Sequence, residues 1–268
     1  NVSLKSCSGP LTQTPGGVVA QGGGYWYEHG TTGPSGTCSF YAFPGSVKVR
    51  MTYNHHAQTL DSVAVAAGTN QIDFLATKVT LLHAGGIKSN MGGSWWFFDK
   101  PTMYLLPGAY NFYFENAGVW DGPVAIDVKG CELTGGILTL VDEVGKPLAN
   151  YPADYPTEQR NLKYKYRYGG SWAPEVSFKT DANGRWFYTI APEHLASWDK
   201  KITVTLNQTA KEQDVTLNPV FQAAKVNVSL KSCSGPLTQT PGGVVAQGGG
   251  YWYEHGTTGP SGTCSFYA

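Results

Sequence analysis

The chain has 268 residues, of which 13% are aromatic and only 14% are charged, and its 19 Lys and Arg residues balance its 19 Asp and Glu residues. A neutral chain without long basic runs lacks the electrostatic footprint that nucleic acid or an anionic membrane surface requires, so nucleic acid is not an expected partner. The longest apolar stretches fall far short of the ~20 residues that cross a bilayer, so we expect no membrane span.

A long repeat dominates the sequence. Residues 227–268 are identical to residues 1–42, which gives a period of 226 residues. Identity of this kind indicates that a domain unit recurs along the chain. Two explanations fit: the chain is a window of a longer tandem array, or it was extended past one period. Both require a repetitive parent protein.

Three shorter blocks follow one another within the period, and each shows the same order of signals. A short first strand leads into a middle rich in glycine and aromatic residues, and a proline-marked corner then precedes a strand with strict alternation of apolar and polar residues. The alternating strands lie at 47–53, 110–114 and 202–206. We therefore predict domains at residues 1–77, 78–132 and 133–225, and an incomplete copy of the first domain at 226–268.

Helix signals are nearly absent, apart from one turn expected at 192–198. Many short strands separated by Gly and Pro turns every ~8 to 12 residues predict an all-β chain of small antiparallel β-sandwich domains arranged end to end. The linkers, such as Ala76-Thr77, are so short that the last strand of one block almost touches the first strand of the next. Short linkers predict stiff junctions between the domains.

The third block opens with LTLVDEVGKPL at 138–148 and carries the turn TDANG at 180–184, and Pro-Gly corners stand at 44–45 and 107–108 in the other two blocks. In these features the chain resembles the prealbumin-like or collagen-adhesin B-type (Ig-like) sandwiches of microbial cell-surface and fibre proteins. The resemblance implies tandem stalk or fibre modules on a cell surface. Some members carry a Lys–Asn isopeptide bond, for which the nearest candidates here are Lys5, Lys78 and Asn70.

The five cysteines reduce to three per period, because Cys233 and Cys264 repeat Cys7 and Cys38. Neither a CxxC pair nor histidines at a metal-ligand spacing are present. The adjacent His55 and His56 would point to opposite faces of a strand, so they are interpreted as surface or turn histidines and no metal site is predicted. Cys7 follows the first strand and Cys38 precedes the middle one, which predicts a Cys7–Cys38 disulfide, its repeat Cys233–Cys264, and an oxidising, extracellular setting. Cys131 is left over, either as a buried thiol or as a crosslink between units.

Aromatic clusters and glycosylation triplets supply the remaining candidate sites. Neighbouring residues of a strand face opposite ways, so some of these rings must lie outside their own core, where they favour contact with another unit or stacking on sugars. We expect Trp95 or Trp96 at an inter-domain or inter-subunit contact. The candidate rings are Tyr25, Trp26, Tyr27, Trp95, Trp96 and Trp172, and the glycosylation triplets begin at Asn1, Asn207 and Asn227.

The sequence contains no G-x-S-x-G elbow and no other catalytic or cofactor signature, so we predict neither an enzyme nor a cofactor. The preferred interpretation is an extracellular structural repeat protein that forms a fibre, stalk or surface filament by head-to-tail continuation, with itself as its partner. The alternative is an adhesin or carbohydrate-binding array in which exposed aromatic rows contact surface glycans. Residues 227–268 stop before the counterpart of the strand at 47–53, so we expect them to be completed from outside, either by continuation of the parent chain or by strand exchange with another molecule. In either case we expect them to form β-strands in an assembly and to superpose on residues 1–42.

Overall fold

The computed structural model describes the chain except for residues 13–14, 23, 84, 92, 153–161, 216–217, 233–234, 237–241 and 249–250. The regular secondary structure of the described residues is almost entirely β-strand, which confirms the all-β sandwich fold class. It divides into two compact units, Asn1–Gly135 and Gly136–Ala268. Among the described residues there is no helix of the length and hydrophobicity that crossing a bilayer requires.

The first unit begins with a sandwich of two four-stranded sheets. Its strands are β1 (Val2–Ser6), β2 (Gly9–Pro10), β3 (Gly17–Gly22), β4 (Tyr25–Thr31), β5 (Thr37–Cys38), β6 (Gly45–Tyr53), β7 (His56–Val65) and β8 (Ile72–Leu75). One sheet has the order β2-β1-β5 with β8 beside β1, and the other has the order β4-β3-β6-β7. The core lies between them, where Val49 and Met51 of β6 meet Leu4 and Phe74. The alternation of β6 thus points its apolar side chains inward.

A second sandwich completes the first unit. Its strands are β9 (Thr77–Leu81), β10 (Ile87–Met91), β11 (Ser94–Phe98), β12 (Thr102–Leu105), β13 (Gly108–Asn116), β14 (Val119–Val128) and the beginning of β15 (Glu132–Val141). One sheet has the order β11-β10-β13-β14, and in the other β9 lies between β12 and β15. Tyr110, Phe112 and Phe114 of β13 are buried, as their alternation predicts. The Tyr110 hydroxyl donates to the backbone oxygen of Leu106 at 2.7 Å and so fixes the Pro-Gly corner.

The first and last strands of each sandwich in this unit pair in parallel, β1 with β8 and β9 with β15. Lys5 and Ser3 of β1 bind the Asp73 carboxylate of β8, and these bonds hold the pKa of Asp73 at about 2. Lys78 pairs in the same way with Glu132 at 3.5 Å. The two lysines proposed for an isopeptide bond are therefore engaged in ion pairs. The amide of Asn70, the third candidate, bonds to the backbone of Ala66.

Gly136–Ala268 contains a third sandwich followed by the copy of the first strands. The third sandwich uses the end of β15, then β16 (Lys163–Tyr168), β17 (Ser171–Trp172), β18 (Val176–Ser177), β19 (Arg185–Ile190), a 3-10 helix (Pro192–Ser197), β20 (Trp198–Leu206), β21 (Thr209–Asp214) and β22 (Val220–Gln222). β15 pairs in parallel with β22, which repeats the arrangement of the first unit. Ile202, Val204 and Leu206 of β20 are buried.

The repeat copy, defined here as residues 227–268, reproduces the strand pairing of residues 1–42. Its strands are β23 (Lys225–Ser229), β24 (Lys231–Ser232), β25 (Gly235–Pro236), β26 (Gly243–Gly248), β27 (Tyr251–Thr257) and β28 (Thr263–Tyr267). Val228 lies opposite Cys264 as Val2 lies opposite Cys38. Even the bulge of the β3–β4 hairpin recurs at the same place in the β26–β27 hairpin. The described parts of the copy therefore form the strands expected from the identity.

Candidate functional site

The features that bear most directly on function are the junctions at which one sandwich meets the next. A disulfide joins Cys7, directly after β1, to Cys131, directly before β15 of the second sandwich, with Cα atoms 5.5 Å apart. Cys38 is instead a buried thiol whose Sγ donates to the His29 backbone oxygen at 3.1 Å. Burial raises the pKa of this thiol, as expected for an inert cysteine inside a core.

The predicted Cys7–Cys38 disulfide is therefore wrong, and the register of the strands explains why. Cys38 lies opposite Val2 in the antiparallel pair of β1 and β5. Cys7 stands farther along β1, roughly 17 Å away at ~3.4 Å per residue. A disulfide needs Cα atoms closer than about 7 Å, so these two cysteines cannot bond. Cys233 lies outside the described residues, so the repeat pairing with Cys264 stays a prediction.

A second contact joins the two sandwiches of the first unit at the turn between β6 and β7. Asn54 and His55 occupy the left-handed region, with φ of 47° and 61°. This turn extends its side chains toward the second sandwich, where the Asn54 amide donates to the Tyr104 backbone oxygen at 3.0 Å. The His55 ring lies 4.3 Å from Trp96, so this tryptophan is at a contact between sandwiches.

His56 completes this contact. Its ring lies 4.7 Å from the ring of Tyr110. A Cβ atom on Gly108 would stand 2.7 Å from the His56 Nε2 atom, so the Pro-Gly corner needs glycine to admit the histidine. Burial lowers the pKa of His56, although a hydrogen bond with the Pro107 backbone partly opposes that shift. The junction therefore favours the neutral imidazole.

We expect the first unit to lose stability when His56 is protonated. Because its folded-state pKa is below the ordinary value of 6.5, this contribution is fully present above that value and is lost as the pH falls through the lowered pKa. Urea unfolding between about pH 5 and pH 8 should show the loss in the wild type and a smaller loss in His56→Gln. The same turn offers a control without a titratable group, since Asn54→Ala should keep the wild-type pH dependence. Equal pH dependence in all three proteins would contradict this assignment.

The outward faces of the sheets carry tryptophans beside cations in all three sandwiches. Arg50 lies 4.5 Å from the Trp26 ring, and Lys165 lies 5.4 Å from the Trp172 ring. In the second sandwich Lys88 is surrounded by rings at distances of 4.1 to 6.0 Å; these are Trp120, Trp95, Phe97 and Tyr113. Cation–π contact of this kind orders the rings at the surface. Trp95 remains 47% exposed, and Tyr25 and Tyr27 are also exposed on β4.

The third sandwich and the repeat copy meet at an extension of the β23–β28 pair. Ala224 and Ala268 exchange two backbone hydrogen bonds of 2.9 Å. The Asn207 amide donates to the Tyr267 backbone oxygen at 2.5 Å, and the Tyr267 ring packs edge-on against Tyr151 at 5.7 Å. Burial and the nearby carboxylates of Asp142 and Glu143 raise the pKa of the Tyr267 hydroxyl. Backbone and side-chain contacts thus attach the copy to the sandwich before it.

The glycosylation candidates fall into two groups. Asn207 is buried, with 5% of its surface exposed, and its amide nitrogen is engaged with Tyr267, so it cannot accept a sugar in this fold. Asn1 and Asn227 are exposed, and their side-chain oxygens accept equivalent bonds from Ser39 and Ser265. The structure thus leaves only the latter two accessible. Among the described residues, no three His, Cys, Asp or Glu side chains are grouped to hold a metal ion.

No protein-family model matches the sequence, and no curated protein sequence matches it. Solved structures similar to this chain include the Bacillus anthracis TIE protein, at 12% identity and a TM-score of 0.21, with 83% of this chain and 49% of that chain covered. This chain thus spans about half the length of that protein. A tetra-tandem repeat from the extending region of a large adhesion protein is 13% identical, with 96% and 83% covered and a TM-score of 0.15. Extracellular domains 3–5 of Drosophila OTK are 11% identical, with 82% and 94% covered and a TM-score of 0.12. Similarities at these sequence identities and TM-scores support no conclusion about function.

Several junction residues were not singled out by the sequence analysis. The sequence favours surface or turn positions for His55 and His56, and it gives no signal for the contacts that their rings make with Trp96 and Tyr110. Cys131 could have been weighed as a partner of Cys7, because each stands next to a strand, Cys7 directly after β1 and Cys131 directly before β15. Asn207 carries no such signal, since its role depends on which backbone oxygen the fold brings to it.

Proposed function

We propose that this chain is an extracellular structural repeat protein, and not an enzyme, whose sandwiches continue head to tail into a stalk, fibre or surface filament. The observation that carries the proposal is the attachment of the repeat copy. β22 ends at Gln222 and β23 begins at Lys225, so the copy starts after only two residues. The same close succession joins β8 to β9 in the first unit. The end of one period is thus joined directly to the first strands of the next. Further periods can follow through the same kind of junction.

The chemistry of the junctions supports the same proposal. Short linkers, paired backbone and packed side chains reduce the freedom of one sandwich relative to its neighbour, which a stalk requires. The Cys7–Cys131 bond ties the two sandwiches of the first unit covalently. Disulfides persist in oxidising compartments, so this bond supports an extracellular location.

Electron microscopy of a chain of three complete periods tests this function. We expect straight, thin rods whose length grows by a constant increment with each added period. A control chain with a long Gly-Ser linker inserted between Ala223 and Ala224 should bend at each insertion, because flexible linkers behave as random coils. Compact particles or freely bending beads from the unmodified chain would contradict the proposal.

A glycan-binding array is the second candidate, and the face around Lys88 is the observation that favours it. Trp95 and Phe97 are 47% and 58% exposed there, and exposed rings can stack on sugars. Retention of the wild-type chain by an immobilised polysaccharide, lost in Trp95→Ala and kept in Val119→Ala, would favour this second function. If no polysaccharide of a panel retains the chain, the glycan-binding function is rejected and only the structural function remains.

A further inference from the structure

The outward side of the sheet β11-β10-β13-β14 in the second sandwich, named here the aromatic face, carries Lys88 among its four rings. The face is set by alternation, because Ser89 and Phe112 are buried and their neighbours in sequence point outward. Residues directly opposite each other on paired strands share a face, and Lys88 lies opposite Phe97 and Tyr113. The ammonium group and the rings are therefore presented together to the outside of the sandwich.

Lys88 has a counterpart in the third sandwich. The two sheets have the same strand order, β11-β10-β13-β14 and β17-β16-β20-β21. Lys88 lies opposite Tyr113, three residues before the end of β13. Lys165 lies opposite Thr203, three residues before the end of β20. The two lysines thus occupy equivalent positions, and Lys165 also lies beside a tryptophan, Trp172.

The two lysines differ in their counter-ions. Lys165 pairs with the Glu175 carboxylate at 3.6 Å, and Lys48 on the outward face of the first sandwich pairs with Asp61. Lys88 is half-buried, with its Nζ atom 4.1 Å from the centre of the Trp120 ring, and it forms no ion pair with any carboxylate of the described residues. The place that a carboxylate fills beside Lys165 is therefore open beside Lys88. A carboxylate supplied by a partner would complete it with a charge-assisted hydrogen bond.

Two side-chain amides accompany the most exposed tryptophan of the aromatic face. Asn90 lies directly opposite Trp95. Asn111, on the neighbouring strand β13, is exposed and points outward because Phe112 beside it is buried. Neither side-chain amide is hydrogen-bonded to another group in the part of the chain that the structure describes. Each amide can donate and accept, which is what the recognition of a hydroxyl requires.

We propose that the aromatic face binds a polyuronate, a polysaccharide whose sugar units carry carboxylates. One carboxylate pairs with Lys88, a sugar ring stacks on Trp95, and Asn90 and Asn111 bind hydroxyls of the stacked sugar. The inference rests on the second candidate function, glycan binding, and names the class of glycan. The four strands extend about 14 Å across the face at ~4.8 Å per strand, so more than one sugar unit can lie on it.

The position of the cation favours a glycan over a protein partner. Protein interfaces are depleted of lysine and concentrate apolar side chains at their centre, whereas the centre of the aromatic face is Lys88. An apolar partner would bury this ammonium group without a counter-ion, which is costly. A polyuronate brings the carboxylate, the hydroxyls and the flat sugar rings in one molecule.

Binding to two polyuronates, polygalacturonate and alginate, tests the proposal. Each is compared with the same polymer after reduction of its carboxylates to alcohols, at about 0.15 M salt, where distant charges are screened. We expect the wild-type chain to bind the acidic forms about tenfold more tightly than the reduced forms, as one charge-assisted hydrogen bond provides. Lys88→Met should abolish this difference, and Lys88→Arg, which keeps the charge, should retain it.

Lys165→Met is the matched control, because it changes the net charge by the same amount at a lysine that already has its own carboxylate. It should bind the polyuronates as the wild type does. Trp95→Ala should weaken binding to the acidic and the reduced forms alike. Circular dichroism and thermal unfolding would verify that each variant is folded.

Wild-type binding of the acidic forms by Lys88→Met would overturn the proposal, and so would binding of polyglutamate as tightly as of the polyuronates, which would indicate an acidic polypeptide as partner. Equal binding of acidic and reduced polymers, lost in Trp95→Ala, would overturn it as well but would retain the glycan-binding function. Absence of binding to both polyuronates and to their reduced forms would reject the proposal. The stalk function keeps its separate test by electron microscopy in every case.

Discussion

Replacement of Cys7 by serine is expected to lower the free energy of unfolding of the first unit by up to about 5 kcal/mol. The reason is the length of the chain that the disulfide closes, since Cys7 and Cys131 are separated by 124 positions. An unfolded chain with so long a loop tied at its ends loses much of its conformational freedom, and cutting the bond restores that freedom. Urea unfolding of Cys7→Ser against the wild type measures the loss.

Cys38 provides the matched control for this experiment. Cys38→Ser removes a thiol that forms no disulfide, so peptide mapping without reduction should still recover Cys7 bonded to Cys131. Cys131→Ser should destabilise the unit as much as Cys7→Ser does, and the double variant should cost no more than either. Recovery of a Cys7–Cys38 peptide, or an unchanged unfolding midpoint in Cys7→Ser, would refute the assignment.

Substitution of Gly184 by alanine is expected to destabilise the second unit by about 2 to 5 kcal/mol, from a left-handed backbone cost of ~1 to 2 and a packing cost of ~1 to 3. Gly184 ends the TDANG turn with φ of +70°. A Cβ atom there would lie 2.7 Å from the Leu140 backbone oxygen and 2.9 Å from Pro147 Cβ. Asp181 holds the turn by accepting from the backbone nitrogens of Asn183 and Arg185, so the turn cannot easily move away.

Gly145 separates the two causes of that loss. It has a similar φ of +83°, but nothing lies within 4 Å of its Cβ position. Gly145→Ala should therefore cost only the backbone part, about 1 to 2 kcal/mol. Thermal unfolding of both variants and the wild type gives the comparison. If the two substitutions cost the same, the close approach of Leu140 to the turn would be rejected.

The faces of the strands could be predicted from the sequence because alternation is a local property. Successive side chains of a strand point to opposite sides of the sheet, so every second residue faces the core. The structure accordingly buries Val49 and Met51 in one sandwich and Phe112 and Phe114 in the next. The turn at Gly184 is local too, since Asp181 and Gly184 are the residue types that such a turn needs. These features follow from a few consecutive residues, whatever the rest of the chain does.

The partners of the strands could not be predicted in the same way. Cys7 and Cys38 are close in sequence, but β1 runs antiparallel to β5 and parallel to β8, so the end of β1 lies at the start of the next sandwich. Register between distant strands depends on the whole core, and no short pattern encodes it. The same holds for Asn207. Its neighbours in sequence make it the first residue of a glycosylation triplet, but in the fold it is buried and donates a hydrogen bond to Tyr267.

The parallel pairing of first and last strands, with the disulfide at its edge, determines how the first unit would carry tension. A pull applied at Asn1 reaches the Cys7 sulfur after a few residues and passes through the covalent bond to Cys131, where the chain continues into β15. The loop between the two cysteines, which lie 124 positions apart, does not carry this force. If the loop were fully extended, it would add on the order of 400 Å to the length of the chain. The disulfide prevents this extension. A stalk built of such periods would resist stretching while oxidised and would become extensible when reduced.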